Sequence, residues 1–231
     1  SLEPDLAHGF VKQSPITDFV IELKKSEEEM LLSLSKDVRY DIRKAQKNNL
    51  HVIISKEHRQ LDDFYNVYLN TRKRRGIPAW PYGLFKEALK TCPTIVAITY
   101  LKDQPIAAAF LFFEKETIEY AFAGTDYRYN SISPYYLLLW EIIKYAIARN
   151  YRFLDLGGST KEMNDGNMYA FKEKWATLKR EVPYYFYATD KQNIPSLEKS
   201  FGLYRIYGKV WSLLPKKIIE IISPLIIRQF K

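Results

Sequence analysis

Apolar residues recur along the chain with two different periods, which together predict a mixture of helices and strands. Short apolar runs separated by three polar residues predict three consecutive strands, and connections of that length suit hairpins. An antiparallel meander is therefore expected over 94–101, 105–113 and 117–124. A period near 3.6 residues, typical of a helix with one buried face, predicts helices at 35–48, 60–76, 81–91 and 134–150.

The long helix that begins at Ser133 and Pro134 links the third strand of the meander to another buried strand, at 152–156. A strand, a crossover helix and a second strand in that order predict a parallel pair. The fold class expected is α/β of the α+β kind, with a mixed, mostly antiparallel sheet and helices on both faces. The remaining predicted elements are strands at 18–23, 50–55 and 181–190, a helix after Ser26 and a helix at 165–176.

Composition limits the class of protein. The chain has 231 residues, of which 47% are hydrophobic, enough for a sizeable core. The single cysteine, Cys92, cannot form an internal disulfide, and the three histidines show no metal-ligand spacing, so no metal is expected. No apolar run approaches the roughly 18 residues that span a bilayer. We expect a cytoplasmic protein that works at the inner face of the membrane if its C-terminal tail contacts lipid.

The formal net charge of +8 favours a polyanionic partner, whether a phosphate-bearing small molecule, RNA or an anionic membrane surface. Helix 35–48 carries Lys36, Arg39, Arg43 and Lys47 along one stripe, and "TRKRRG" places four cations at the end of helix 60–76. Each cluster alone fits a solvated charged face. Together they favour a phosphate-rich ligand, with Arg39 and Arg43 as candidate contacts.

The stretch "FLDLGGSTKEMNDGNMYAFKEKW" (153–175) is the most informative for chemistry. On a helical wheel, Lys172 lies at the edge of the buried stripe formed by Met168, Phe171 and Trp175. One interpretation is a lysine whose stem covers the core while its ammonium reaches water. The other is a fixed ammonium that stabilises the oxyanion of an acyl-transfer intermediate.

Strand 152–156 ends in residues suited to a ligand pocket. Gly157 and Gly158 permit a positive φ and close approach of the backbone to a ligand, although an ordinary turn fits them equally well. Asp155 stands in an otherwise apolar strand and needs a partner, which makes it either structural or a group that orients an acceptor amine. Ser159 completes the candidate site.

Four stretches resemble the GNAT-related domain of the FemAB-like family, in the order found in that family: "LSKDVRYDIRKAQKNNLHV", "FYNVYLNTRKRRGIPAWP", "PYYLLLWEIIKYAIARNYRFLDLGGS" and "MYAFKEKW". The resemblance implies a GNAT-like acyltransferase fold over 25–190. Family members transfer amino acids from aminoacyl-tRNA onto peptidoglycan precursors, and relatives act as acetyltransferases of polysaccharide synthesis. The resemblance implies that the acyl group is transferred to an amine of an envelope or sugar precursor. It also implies that the Phe171–Lys172 pair takes part in the transfer.

The resemblance also bears on the acyl donor. Typical CoA-using GNAT proteins hold the pyrophosphate in a glycine-containing loop at the start of the long helix. Here that stretch is "RYNSIS" (128–133), which keeps Arg128 but has Ser131 and Ser133 in place of glycines. The replacement of these glycines by serine favours aminoacyl-tRNA over acyl-CoA as co-substrate. No permanently bound cofactor is expected. Asp126 in the same loop could bind an amine or a sugar hydroxyl, or cap the loop.

The flanking segments have separate interpretations. FemAB-like proteins usually carry two such domains, so 1–24 is expected to be an N-terminal extension or the end of a preceding domain. The basic, apolar tail over 191–231 predicts helices that either cover the body or lie on a membrane surface, with Trp211 at the interface. A non-catalytic GNAT domain that binds RNA, a phosphorylated ligand or a membrane stays open as the alternative function.

Overall fold

A computed structural model describes residues 10–161, 167–187, 208 and 210–228 of the chain. The strands among these residues are β1 (Phe10–Glu22), β2 (Leu50–Ser55), β3 (Thr94–Leu101), β4 (Gln104–Glu114), β5 (Thr117–Thr125), β6 (Phe153–Ser159) and β7 (Leu178–Tyr187). They form one sheet in the order β2-β3-β4-β5-β6-β1-β7, and all neighbours are antiparallel except β5 and β6. The predicted meander and the predicted parallel pair are therefore confirmed.

Helices cover both faces of the sheet, as the sequence predicts. They are α1 (Glu27–Ser33), α2 (Lys36–Lys47), α3 (His58–Arg75), α4 (Tyr82–Thr91), α5 (Pro134–Ile147), α6 (Asn167–Trp175) and α7 (Lys216–Ile227). Buried side chains of α1, α2, α5 and α6 contribute to one hydrophobic core, while α3, α4 and α7 contribute to a second core on the opposite face. Ser26 and Ser35 accept hydrogen bonds from Glu29 N and Val38 N and so cap the first two helices.

Strand β1 is longer than the predicted strand at 18–23. It pairs with β6 on one side and with β7 on the other, and the register shifts between Gln13 and Ile16, around Pro15. Proline has no N–H to donate, so a bulge accommodates it within a paired strand. Residues 10–22 are thus part of this sheet, although the sequence assigns them to a segment before residue 25. The predicted domain limits, residues 25 and 190, stay a prediction, because residues 1–9 and 188–190 lie outside the described part of the chain.

The described part of the C-terminal tail is helical and packs on the body. In α7, Ile219 is fully buried in the second core, and the Ser223 hydroxyl accepts a hydrogen bond from Ala79 N at 3.0 Å. Among the described helices, none has the length and apolar character needed to cross a membrane.

Candidate active site

A cleft opens where the two parallel strands separate. Strands β5 and β6 are paired from Thr117 and Phe153 to Glu119 and Asp155, but both strands continue beyond that point. Their diverging ends form the walls of a cleft of about 830 Å³, which α3, the start of α5 and α6 complete. That volume is within the range of pockets that bind small molecules and cofactors.

The end of β6 provides the floor of the cleft. Gly157 has a φ of +70°, and its N–H donates to the Asp155 carboxylate at 2.7 Å, which stabilises the turn. A Cβ atom on Gly158 would lie 2.5 Å from the Ile16 Cγ2, so a larger residue there would displace the Ile16 side chain of β1. The two glycines are therefore needed for the shape of the floor, and one Asp155 oxygen has the structural partner that the sequence called for.

Lys172 of α6 reaches this floor. Its Nζ donates to the Gly157 and Gly158 carbonyl oxygens, both at 3.0 Å. An ammonium has three N–H groups, so one is left to face the cleft. Burial lowers the pKa of Lys172 to about 8, and the positive charge of Arg75 acts in the same direction, whereas Asp18 and Asp155 oppose the shift. The side chain is thus a fixed donor that is still mostly charged at neutral pH.

Arg75, at the end of α3, lines the same cleft. Burial lowers the pKa of its guanidinium, and the neighbouring Arg72 and Arg74 add to this effect while Tyr135 opposes it. Arg72 has a structural role, because its Nε donates a hydrogen bond to the Pro78 carbonyl oxygen at 2.8 Å. No carboxylate pairs with Arg75 within the described part of the chain. A half-buried, unneutralised guanidinium favours an anionic ligand.

Aromatic side chains hold α6 in place beside the cleft. The Phe171 ring makes edge contacts with Tyr135 at 4.9 Å and with Tyr136 at 5.2 Å between centroids. Tyr120 and Tyr135 also line the cleft, and burial raises the pKa of both hydroxyls, so both stay protonated near neutral pH. Phe171 therefore fixes the position of the residue that follows it, Lys172, rather than presenting a reactive group.

Two carboxylates that the sequence did not single out are electrostatically coupled to Asp155 at the floor. Burial, followed by the negative charge of Asp155, raises the pKa of both Asp18 on β1 and Glu119 on β5. Glu119 lies directly opposite Asp155 in the parallel pair. A carboxylate with a raised pKa is a better proton acceptor, so Glu119, which lines the cleft, is a candidate base for an amine, whereas Asp18 lies outside the lining. Their signal in the sequence was only a polar residue within each predicted strand.

The sequence-predicted residues divide into two groups. Lys172, Phe171, Asp155, Gly157, Gly158 and Ser159 all line the cleft. Asp126 and Arg128 do not line it; the Arg128 guanidinium makes a two-pronged ion pair with the Asp126 carboxylate, which also caps the following 3-10 helix. Arg39 and Arg43 lie on α2 and are absent from the lining as well, and Arg39 donates to the Leu32 carbonyl. For these four residues, a ligand contact stays a prediction.

The start of α5 differs from an open anion site. Ser133 precedes the helix with a left-handed backbone, and its hydroxyl donates to the Asp41 carboxylate of α2 at 2.6 Å. A negative side chain is thus held beside the helix N-terminus, where the helix dipole would otherwise attract a phosphate. Among the described residues, no group of three or more His, Cys, Asp or Glu side chains could hold a metal ion.

The sequence matches one protein family, and several solved structures have a similar fold. Residues 33–173 match the family described as the acetyltransferase (GNAT) domain. Among solved structures, the chain is similar to FemX, with a TM-score of 0.65 and 13% identity over 87% of this chain and 69% of that one. No curated protein matches the sequence.

Two lysylphosphatidylglycerol synthetases also have a similar fold. The C-terminal domain of a putative enzyme from Agrobacterium fabrum gives a TM-score of 0.60 and 12% identity, over 81% of this chain and 63% of that one. The enzyme from Bacillus licheniformis gives 0.57 and 12%, over 87% and 68%. The chain thus spans about two thirds of each of these three structures. Because the family match extends over more than half of its length, the chain belongs to the GNAT acetyltransferase-domain family, and its fold is similar to that of FemX.

Proposed function

We propose that this protein transfers an acyl group, an aminoacyl group from aminoacyl-tRNA or an acetyl group from acyl-CoA, onto an amine of a cell-wall or polysaccharide precursor. The observation that carries the proposal is the Lys172 ammonium, held by two carbonyl oxygens at the floor of the cleft with one N–H free. A donor fixed in this way costs no reorganisation when negative charge develops on a substrate oxygen.

The steps follow from the residues of the cleft. The neutral acceptor amine attacks the carbonyl carbon of the donor, a C–N bond forms, and the carbonyl electron pair moves to oxygen, where Lys172 donates a hydrogen bond. Glu119, which lines the cleft, takes the proton that the amine loses, because its raised pKa makes it a better base. The intermediate then collapses, the bond to the leaving oxygen or sulfur breaks, and that proton passes to the leaving group.

The cationic side of the cleft suits the anionic part of a donor or acceptor. Arg75 supplies a guanidinium without a carboxylate partner among the described residues, and Arg72 and Arg74 lie beside it in the lining. Guanidinium groups bind phosphate oxygens in a two-pronged geometry. This pairing of a phosphate-binding side with an ammonium at the floor supports a phosphate-bearing donor, whether tRNA or CoA.

Two features favour an aminoacyl ester over acyl-CoA. The loop before α5 contains no glycine, and Asp41 holds negative charge beside the helix N-terminus, where GNAT proteins bind the pyrophosphate of CoA. A doubly charged pyrophosphate at that position would be repelled by the carboxylate. Two of the structural neighbours are named for lysyl transfer onto phosphatidylglycerol, which supports an aminoacyl donor for this cleft as well.

The proposal is tested by direct detection of product. The protein is incubated with acetyl-CoA or with tRNA charged with a mixture of amino acids, together with a nucleotide-linked cell-wall precursor or an aminosugar, and the products are measured by mass spectrometry. We expect an acceptor mass increased by one aminoacyl residue, formed from charged tRNA. Product from acetyl-CoA alone would contradict the aminoacyl donor. Thermal stabilisation by charged tRNA without product from any pair would indicate the non-catalytic binding domain instead.

A further inference from the structure

The C-terminal segment is attached to the body by one face only. Ile219 is fully buried in the core to which α3 and α4 contribute, the Ser223 hydroxyl accepts a hydrogen bond from Ala79 N, and Trp211 and Leu214 pack against the same core. At its beginning, Gly208 lies against Gly76, where a Cβ on Gly76 would be 2.2 Å from the Gly208 Cα. The position of the segment on α3 is therefore defined by close contacts.

The outer face of the same segment is apolar and exposed. On α7, Ile218, Ile221 and Leu225 follow one another at helical spacing, with 42%, 70% and 58% of their surfaces accessible. Leu213, at the end of a short helical stretch before α7, is 82% exposed, and Trp80, beside the Ala79 contact, is 38% exposed. Single exposed apolar side chains are common on proteins, but a continuous row on one helix marks an interaction surface.

The charges around this row identify the kind of partner. Lys216 and Lys217 stand exposed at the start of α7, and Arg228 stands exposed at its end, so the apolar row has cations at both ends. Glu220 is the acidic side chain that α7 carries between them. Apolar residues in the middle and basic residues at the rim fit the boundary between lipid chains and anionic headgroups. A second copy of the chain fits less well, because each copy has a net charge of +8 and would bring its own cations to the contact.

We propose that this α7 surface, made of Leu213, Lys217, Ile218, Ile221, Leu225 and Arg228, binds an anionic phospholipid bilayer. The helix lies parallel to the membrane, its outer row enters the headgroup region, and Ile219 and Ser223 keep it attached to the protein. This contact is independent of the acyl transfer proposed above.

The attachment of α7 to α3 also places the proposed membrane contact on the helix that ends at the cleft. Helix α7 packs on α3, and Gly208 lies against Gly76, the residue that ends α3 next to Arg75. Arg75 faces the cleft. An acceptor amine carried on a lipid-anchored molecule could therefore approach the cleft along α3.

The experiment uses co-sedimentation of the whole chain with vesicles. Wild type is mixed with vesicles of phosphatidylglycerol and phosphatidylcholine, or of phosphatidylcholine alone, at low and high salt. We expect binding to the anionic vesicles that weakens with salt, and a reduction of about tenfold or more in the Ile221→Glu, Leu225→Glu double variant. The double variant Leu32→Glu, Tyr40→Glu is the matched control, because these side chains on α1 and α2 are 67% and 65% exposed.

Equal binding by wild type and the α7 variant, or no binding of wild type to anionic vesicles, would overturn the proposal. The proposal would also be overturned if sedimentation velocity showed that wild type is a dimer and that, of the two double variants, only the α7 variant is a monomer. The α7 surface would then bind a second copy of the chain. Transfer between soluble substrates is measured in parallel. The α7 variant should retain it, so a failure of the membrane contact is distinguished from a failure of the acyl-transfer proposal.

Discussion

Lys172 keeps its charge in surroundings that disfavour charge. Its burial lowers the pKa to about 8, which corresponds to a penalty of about 3 kcal/mol on the charged form relative to water. The two carbonyl oxygens of Gly157 and Gly158 direct the ammonium into the cleft but do not neutralise it. A side chain retained under such a penalty is more readily explained by chemistry than by packing.

Replacing Arg75 with methionine should change how Lys172 titrates. Removal of a nearby positive charge lets Lys172 hold its proton more strongly, so the upper limb of the pH–rate profile should move above about pH 8. The same change should raise the KM for a phosphate-bearing donor by about tenfold, because a charged hydrogen bond is lost. Lys73→Met, on the same helix but outside the cleft lining, is the control. An unchanged profile would show that Arg75 does not act on Lys172.

The sequence could predict which individual residues form the candidate site only where those residues are close together along the chain. The glycine pair, Asp155 and the Phe171–Lys172 pair all come from the single stretch 153–175, and a helical wheel and a strand end suffice to place them together. Glu119 and Arg75 come from β5 and α3, and only the pairing of β5 with β6 and the packing of α3 on the sheet bring them to the same cleft. Arg128 and Asp126 form an ion pair with each other outside the cleft lining, so their contact with a ligand stays a prediction.

At the level of secondary structure, the cleft exists because β5 diverges from β6. The Thr71 hydroxyl of α3 accepts from Thr125 N at 2.9 Å, which holds the free end of β5 against α3. Gly124 allows this approach, since a Cβ there would be 2.8 Å from the Thr71 Oγ1 and 2.9 Å from the Val67 carbonyl. The helix periods and hairpin lengths predicted the elements, but nothing local in the sequence marks where two strands part.

Gly124→Ala should therefore destabilise the protein and disturb the cleft. The added methyl meets the α3 backbone, which cannot rotate away, so we expect a loss of about 1–3 kcal/mol in the free energy of unfolding. Gly83→Ala is the matched control, because it lies in α4 with no atom within 4 Å of the added Cβ and should gain up to about 1 kcal/mol. Urea denaturation of the two variants measures both changes. Equal stabilities for the two would contradict the close contact of α3 with β5.

For the whole molecule, the buried ammonium implies a conflict between stability and activity. A lysine whose pKa is lowered by folding lowers stability at neutral pH, because the unfolded chain holds the proton more tightly. Lys172→Met should raise the free energy of unfolding by about 1–2 kcal/mol below pH 8. The gain should shrink as the pH rises from about 8 to 10.5, since wild-type Lys172 loses its proton over that range. Lys174→Met, exposed on the same helix, should show no such gain in denaturation at pH 7 and pH 10. A destabilised Lys172→Met at pH 7 would mean that the ammonium holds the fold together.

Sequence alone predicts the mixed sheet, its parallel pair and the helices on both faces. It could not reveal that residues 10–22 form an inner strand, because the pairing of β1 with β6 and β7 joins residues more than 130 positions apart. It also left open whether the tail covers the body or contacts a membrane. In the structure α7 has one face suited to each role, with Ile219 turned inward and Ile221 turned outward.

The most direct test of the central claim is the single-turnover rate of acyl transfer in wild type, Lys172→Met and Lys174→Met, with saturating donor and acceptor. Loss of one oxyanion donor should slow Lys172→Met by about 10² to 10³-fold. Lys174→Met should stay within about twofold of wild type, because its side chain lies outside the cleft lining. The wild-type rate should fall as the pH rises through about 8, when Lys172 loses its proton. A Lys172→Met rate close to that of wild type, or a wild-type rate still climbing above pH 9, would contradict this account.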